Sequence, residues 1–272
     1  MVSLQGALGG QGSMAYGNAI GSIICNTALV AAITIAIKPV KIDKNSLKIP
    51  VAFFCVAAVI YVIVAYVTKD FTRSVGMILL ALFAAYMAYA IISAFRNPQI
   101  EAEEQQAVNE QKEISIGIVK DLIMLVVGAV CIAFGADFLI DSATAVAKAF
   151  NVPETVIALT IVALGTSLPE LVTAITSLVK GHGALSLGNI IGANLFNLVL
   201  VCGVSITAAP FPLPNEKTFL GQNASLAIDM PVMIAVMSIL CIPALAKGKL
   251  SRWQGILLLC IYLAFSIFQF IA

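Results

Sequence analysis

"GHGALSLGNIIGANLFN" at residues 181–197 has a gapless partner, "GQGSMAYGNAIGSIICN", at residues 10–26. Gly10 meets Gly181, Gly12 meets Gly183, Gly17-Asn18 meets Gly188-Asn189, Ile20-Gly21 meets Ile191-Gly192, and Asn26 meets Asn197. The shared pattern is G-x-G-x4-G-N-x-I-G-x4-N, too many glycines and asparagines in register for chance. Glycines four apart let helices approach closely. Repeats of this kind in a membrane chain mark secondary transporters built from two halves, with the substrate held near the midplane where the repeats meet.

The composition places both copies in a bilayer. The chain has 272 residues, 61% of them hydrophobic and 11% charged, against about a quarter charged in soluble proteins. Apolar segments lie at roughly 14–36, 50–68, 74–95, 117–142, 153–179, 184–209, 224–246 and 253–271. Runs of about 20 apolar residues span the hydrocarbon core. The expected fold is therefore an all-α polytopic membrane protein with eight full spans, preceded by a partial helix at residues 1–9. The stretch "RNPQIEAEEQQAVNEQKEISI" at 96–116 is the long hydrophilic segment and reads as a solvated acidic linker. It divides a first repeat, 1–95, from a second, 117–272, which holds five spans. An odd number of spans per repeat forces the two copies into opposite orientations, so the expected architecture is two inverted five-helix halves, the first incomplete.

Lysine and arginine set the expected orientation. Lys38, Lys41, Lys44, Lys48, Arg96, Lys112, Lys120, Lys180, Lys247, Lys249 and Arg252 fall in one set of alternate loops; Lys69, Arg73, Lys148 and Lys217 fall in the other. The richer side should be cytoplasmic, which puts the linker inside and the C-terminus outside.

Several classes drop out. A net charge of +1 gives no electrostatic footprint for nucleic acid. His182 stands alone, so H-E-x-x-H is impossible, and no G-x-S-x-G occurs; no enzymatic chemistry and no resident cofactor are expected. Cys25, Cys55, Cys131, Cys202, Cys241 and Cys260 are scattered singly through apolar runs and read as small buried hydrophobes. The N-terminus lacks the basic and apolar regions of a signal peptide.

Within "ALGTSLPELVTAI" (163–175), Glu170 follows Pro169 in the middle of an apolar segment. A proline inside a helix removes one N–H and clashes with the carbonyl four residues back, here Gly165. Freed carbonyls at membrane depth are tolerated where they line a cavity or find partners. Thr166, Ser167 and Glu170 add side-chain oxygens within one turn. That donor set suits a hard cation such as Ca2+ or Na+. An intramembrane carboxylate is costly, and Glu170 lies too deep to reach an interface, with no lysine within two turns. Asp121, Asp137, Asp141 and Asp229 lie nearer the ends of their segments and read as interfacial.

The region from Gly135 to Gly203, with "GADFLIDSA", "GTSLPE" and "GNIIGANLFN", resembles the second signature repeat of the sodium/calcium exchangers, within the cation/calcium antiporter superfamily. The resemblance implies two inverted five-helix halves whose signature helices bind Ca2+ and Na+ alternately. It implies Glu170 as the principal carboxylate ligand, with Thr166, Ser167 and the Ala163 carbonyl beside it. It also implies that Asn197 and Asn26 face the ions; relatives often carry an aspartate at one of these positions, and both are neutral here. Ser22 matches a further ligand position, whereas its repeat partner, Ala193, has no hydroxyl, and Asn194 is opposed by Ile23.

The repeat counterpart of Glu170 would fall two positions before Met1. Two readings of that start compete. Either the chain begins at an internal methionine, with roughly 40–50 further positions encoded in frame upstream, or it is a truncated paralogue; the first is expected. The expected function is exchange of Ca2+ for Na+ by alternating access, with the bilayer and these ions as partners. The alternatives are Ca2+/H+ antiport and a membrane protein without flux.

Overall fold

The computed structural model describes residues 2–96, 152–181 and 183–271, with isolated helical positions between 123 and 150. Helix α1 covers Val2–Leu8. Helix α2 runs over Gly12–Ile37 and carries a π segment at Asn26–Ala31. Helices α3 (Lys44–Val67) and α4 (Arg73–Arg96) follow. A broken pair, α5 (Glu154–Thr166) and α6 (Leu168–Val179), is bent by 42°. Helix α7 starts as Gly183–Phe196, passes through a π segment at Asn197–Val201 and ends as Cys202–Ala208. Helices α8 (Ser225–Lys247) and α9 (Arg252–Ile271) complete the chain.

Six of these helices are long and apolar enough to cross a membrane, or seven if the bent pair counts as one span, among the described residues. They meet the expected segments 14–36, 50–68, 74–95, 153–179, 184–209, 224–246 and 253–271. The segment 117–142 lies largely outside the described residues, and the linker 96–116 almost wholly so. This is a multi-pass helical membrane protein.

Helix boundaries recur at the spacing of the repeat, 171 residues. Leu8 and Val179 end α1 and α6, Gly12 and Gly183 open α2 and α7, the π segments begin at Asn26 and Asn197, and the long helices stop at Ile37 and Ala208. Gly10 and Gly181, in the two short turns, have φ of +77° and +86°, a conformation glycine adopts without strain.

The loops hold short ribbons that an all-helical reading omits. Strand β1 (Val40–Lys41) pairs antiparallel with β6 (Lys249–Leu250), and β2 (Asp70–Phe71) with β3 (Phe211–Pro212). These pairings cross between the two parts of the chain. A hairpin of β4 (Thr218–Phe219) and β5 (Gln222–Asn223) turns at Leu220 and Gly221, both at positive φ, as a two-residue hairpin turn requires.

Helix packing crosses the same way. A Cβ on Gly76 of α4 would strike Thr207 and the Gly203 carbonyl of α7; one on Gly255 of α9 would strike Ala32 and Ala36 of α2. Close backbone contact of this kind substitutes for the hydrophobic drive that lipid does not supply. Helix α2 lies at the centre, with Tyr16, Ile20, Ile23 and Ile24 fully buried, while Val56, Ile63, Met77, Ile256 and Leu263 of α3, α4 and α9 face outward. Cys25, Cys202 and Cys241 are buried as expected; Cys55, Cys131 and Cys260 are exposed and belong to the outward apolar surface instead.

Candidate cation site at the broken helix

The site is built where α2 meets the α5–α6 break. Pro169 stands in the first turn of α6, Ser167 is the single non-helical residue between the two helices, and Glu170 follows in that same first turn. The expected break is therefore present at the expected residue. Helix α2 can press against α5 because Gly17 and Gly21 have no side chains. A Cβ on Gly21 would lie 2.5 Å from the Leu159 carbonyl oxygen and 2.8 Å from the Ala163 Cβ.

That approach brings polar groups of the two helices together. The Thr166 hydroxyl lies 3.2 Å from the Ser22 hydroxyl and 3.0 Å from Asn18 Oδ1, to which it can donate. Asn18 Nδ2 donates in turn to Ser3 Oγ of α1 at 2.8 Å. The same Thr166 oxygen lies 3.0 Å from the Val162 carbonyl and 3.2 Å from the Ala163 carbonyl. A hydroxyl has one proton, so it serves one of these acceptors at a time.

Ser22 and Asn26 follow Asn18 at steps of four, on one face of α2. Among the described residues Asn26, 1% exposed, has no hydrogen-bond partner at Oδ1, and neither has the buried Glu170 Oε2, while the buried Ser167 hydroxyl lies beside the Cys25 thiol of α2. Ala163 is fully buried, and its carbonyl also accepts from the Ser167 N–H at 3.1 Å. Asn197 heads the π segment of α7, half-buried, and no hydrogen bond joins it to this cluster among the described residues. Buried oxygens without hydrogen-bond partners are costly, and oxygens of this kind are the donors that hard cations take. Among the described residues no three His, Cys, Asp or Glu side chains come together, so neutral oxygens and one carboxylate are what the break offers.

Two further ties hold the arrangement. At the far end of the α2–α5 contact, Glu216 receives the Ser13 hydroxyl on one oxygen and the Thr155 N–H (3.1 Å) and hydroxyl (3.0 Å) on the other. A carboxylate at two helix starts also meets their positive dipole ends. Between α7 and α2, the fully buried Asn194 donates to the Thr27 hydroxyl at 2.7 Å.

Asp229 departs from its expected interfacial place. It is 2% exposed and accepts from Gln269 Nε2 at 2.7 Å. Nearby, Lys217 donates to the Phe268 and Gln269 carbonyls at 3.0 and 2.7 Å. Burial pulls this lysine below its usual range, and Asp229 opposes the shift.

Asn18 and Ser3 are site residues that sequence reading missed. The signal was present, since Asn18 stands four and eight residues before Ser22 and Asn26, but it was absorbed into the glycine packing motif. Thr166→Val should strand Asn18 Oδ1 and cost about 1–3 kcal/mol, read as a lower unfolding midpoint in detergent. Thr166→Ser, which restores the hydroxyl, should recover most of it.

The fold has solved counterparts. A structure of the sodium-calcium exchanger NCX_Mj soaked with Na+ and Sr2+ aligns with a TM-score of 0.65 at 28% identity, over 96% of this chain and 79% of that one. The Uncharacterized membrane protein MJ0091 of Methanocaldococcus jannaschii is 32% identical over 253 residues, covering 92% of this chain and 74% of its own. The Sodium/calcium exchanger MaX1 of Methanosarcina acetivorans is 27% identical over 154 residues, 57% of this chain and 42% of its own. The family described as "Sodium/calcium exchanger protein" matches residues 1–92 and 120–271. With nearly the whole chain matched and the broken helix in place, the protein belongs to the sodium/calcium exchanger family.

Proposed function

We propose that the protein is a secondary antiporter that exchanges Ca2+ for Na+ by alternating access. Glu170 is the principal carboxylate, with Thr166, Ser167 and the Ala163 carbonyl from the broken helix, Ser22 and Asn26 from α2, and Asn197 from α7. The observation that carries this reading is the helix break with the Thr166 and Ser167 hydroxyls beside it and the buried Glu170 and Asn26 oxygens that have no hydrogen-bond partner among the described residues. Ca2+ takes six to eight oxygens and Na+ the same hard donors. Membership of the exchanger family and the likeness to NCX_Mj, of which one solved structure was soaked with Na+ and Ca2+, support the same ions.

Residues 1–95 and 117–272 form the two inverted halves of this antiporter, joined by 96–116. The recurrence of helix ends, π segments and positive-φ turns at one spacing supports the repeat. The excess of lysine and arginine on one side supports a cytoplasmic linker and an outside C-terminus.

Coupling to H+ is the rival reading, favoured by one observation: the cluster has one carboxylate and two neutral asparagines, and a lone buried carboxylate can carry a proton as well as a cation. Ca2+ uptake into vesicles separates the two. An opposing Na+ gradient at uniform pH should drive accumulation. Accumulation driven by a pH gradient alone, without Na+, supports proton coupling instead, and no uptake in either arm by correctly inserted protein removes both.

A further inference from the structure

Asp229 of α8 is a buried acid that the cation site does not use, and it shares a cavity with the loop at 209–224. Thr155, Glu216, Lys217, Ser225, Asp229 and Gln269 are among the residues that line this cavity of about 10 Å³, which has room for one water. Glu216 and Lys217 are adjacent in the chain but turn to different helices. Glu216 receives Ser13 of α2 and Thr155 of α5. Lys217 donates to the Phe268 and Gln269 carbonyls at the end of α9, at 3.0 and 2.7 Å, and lies 4.7 Å from the centroid of the Phe268 ring. A cation at a helix C-terminus meets the negative end of the dipole, and the ring face adds to that attraction. The ammonium is thus committed to capping α9.

Asp229 is buried and accepts from Gln269 Nε2 of α9 at 2.7 Å. The other groups around it, among the described residues, are the Ser225 hydroxyl of its own helix, the fully buried Tyr16 of α2 beside that hydroxyl, and Lys217 and Glu216 of the loop. From α3, Tyr66 donates to the Leu226 carbonyl at 2.6 Å. Gln269, Ser225 and the two tyrosines carry no charge. Glu216 and Lys217 offset each other, so an ionised Asp229 would leave one net negative charge around the cavity. A buried charge without a partner is costly enough that the group takes up a proton instead.

We propose that Asp229 is a proton-binding site, separate from the cation site, that works as a latch on α9. With its proton on, Asp229 leaves Lys217 capping the helix. When the proton passes through the cavity to water on the face bearing the 209–224 loop, the carboxylate draws Lys217 off the Phe268 and Gln269 carbonyls and frees the α9 end. One proton leaves, and no other covalent bond is made or broken. Gln269 is the pivot, since its side chain holds Asp229 and its carbonyl holds Lys217. The latch goes beyond the exchange reading and does not depend on it. It bears on exchange through α2, which also carries Ser22 and Asn26: Tyr16 stands beside Ser225, and Gly255 of α9 packs against Ala32 and Ala36.

Two measurements test the latch without requiring transport, both in a Glu170→Gln parent so that the carboxyl at the helix break is silent. Infrared difference spectroscopy in neutral buffer should show the C=O band of a protonated carboxyl that Asp229→Asn removes. A spectrum that Asp229→Asn leaves unchanged overturns the site. Hydrogen exchange at the α9 end, corrected for the chemical effect of pH, should be at least about tenfold faster in alkaline than in acidic buffer. Asp229→Asn, a permanent mimic of the protonated acid, should stay slow in both, and Lys217→Gln should be fast in both. No pH response in the parent, a response that survives Asp229→Asn, or slow exchange in Lys217→Gln overturns the latch. If Asp229→Asn does not fold, the parent decides alone: loss of the infrared band and onset of exchange must share one midpoint, and separate midpoints overturn the proposal.

Discussion

Glu170→Gln is expected to abolish Ca2+ transport, to at least a hundredfold below the unsubstituted protein, with expression and membrane insertion unchanged. The substitution keeps size and removes the one charge at the break. Its Oε2 is buried without a donor among the described residues, so none of these replaces the cation as partner to that charge. Truncating one member of a desolvated charge pair costs about 2–5 kcal/mol, and each 1.4 kcal/mol is roughly tenfold in affinity. Folding should not suffer, because the free carboxylate is itself a burden in the empty state, and a neutral amide lightens it. Exchange at the unsubstituted rate would remove Glu170 from the ligand set.

Gly21→Val should be the most damaging single change in α2, and Gly192→Ala, at the equivalent position of α7, among the mildest. At Gly21 even one added carbon would lie 2.5 Å from the Leu159 carbonyl oxygen, a backbone atom of α5. Overpacking of this kind costs about 1–3 kcal/mol for a single methylene, and the branched valine exceeds it. The helices must separate, and the Ser22–Thr166 and Asn18–Thr166 contacts go with them. Loss of transport and a clearly lower unfolding midpoint are expected together. Around Gly192 no atom of the described residues lies within 4 Å of an added Cβ, so alanine should be tolerated there. Equal losses at both positions would contradict this.

Much of the framework was readable from residue types. The glycine–asparagine repeat marked where helices begin, because glycine at positive φ closes the turns at Gly10 and Gly181 and glycine without a side chain permits the α2–α5 contact. Pro169 located the break, because a missing N–H has the same consequence in any helix. Glu170, Thr166 and Ser167 were singled out for standing within one turn of that break, and that is where they stand.

What sequence reading missed depends on the register between helices far apart in the chain. The tie from Ser3 through Asn18 to Thr166 needs α1, α2 and α5 side by side, and no local pattern announces it. Glu216, in a loop, has the composition of any solvated acid until Ser13 and Thr155 are placed against it. Asp229 was read by its distance from a segment end, but Gln269 and the α9 end bury it. The cysteines were treated alike because each lies in an apolar run, and in a bilayer an apolar run has one face toward lipid.

The central claim is that one site, centred on Glu170, is shared by Ca2+ and Na+. Equilibrium binding of radioactive Ca2+ to the purified protein, titrated with Na+ at fixed pH and ionic strength, tests it most directly. The account predicts saturable Ca2+ binding that Na+ displaces fully and choline does not, with no saturable binding in Glu170→Gln. Ca2+ that stays bound at high Na+, or that binds equally to Glu170→Gln, would contradict it.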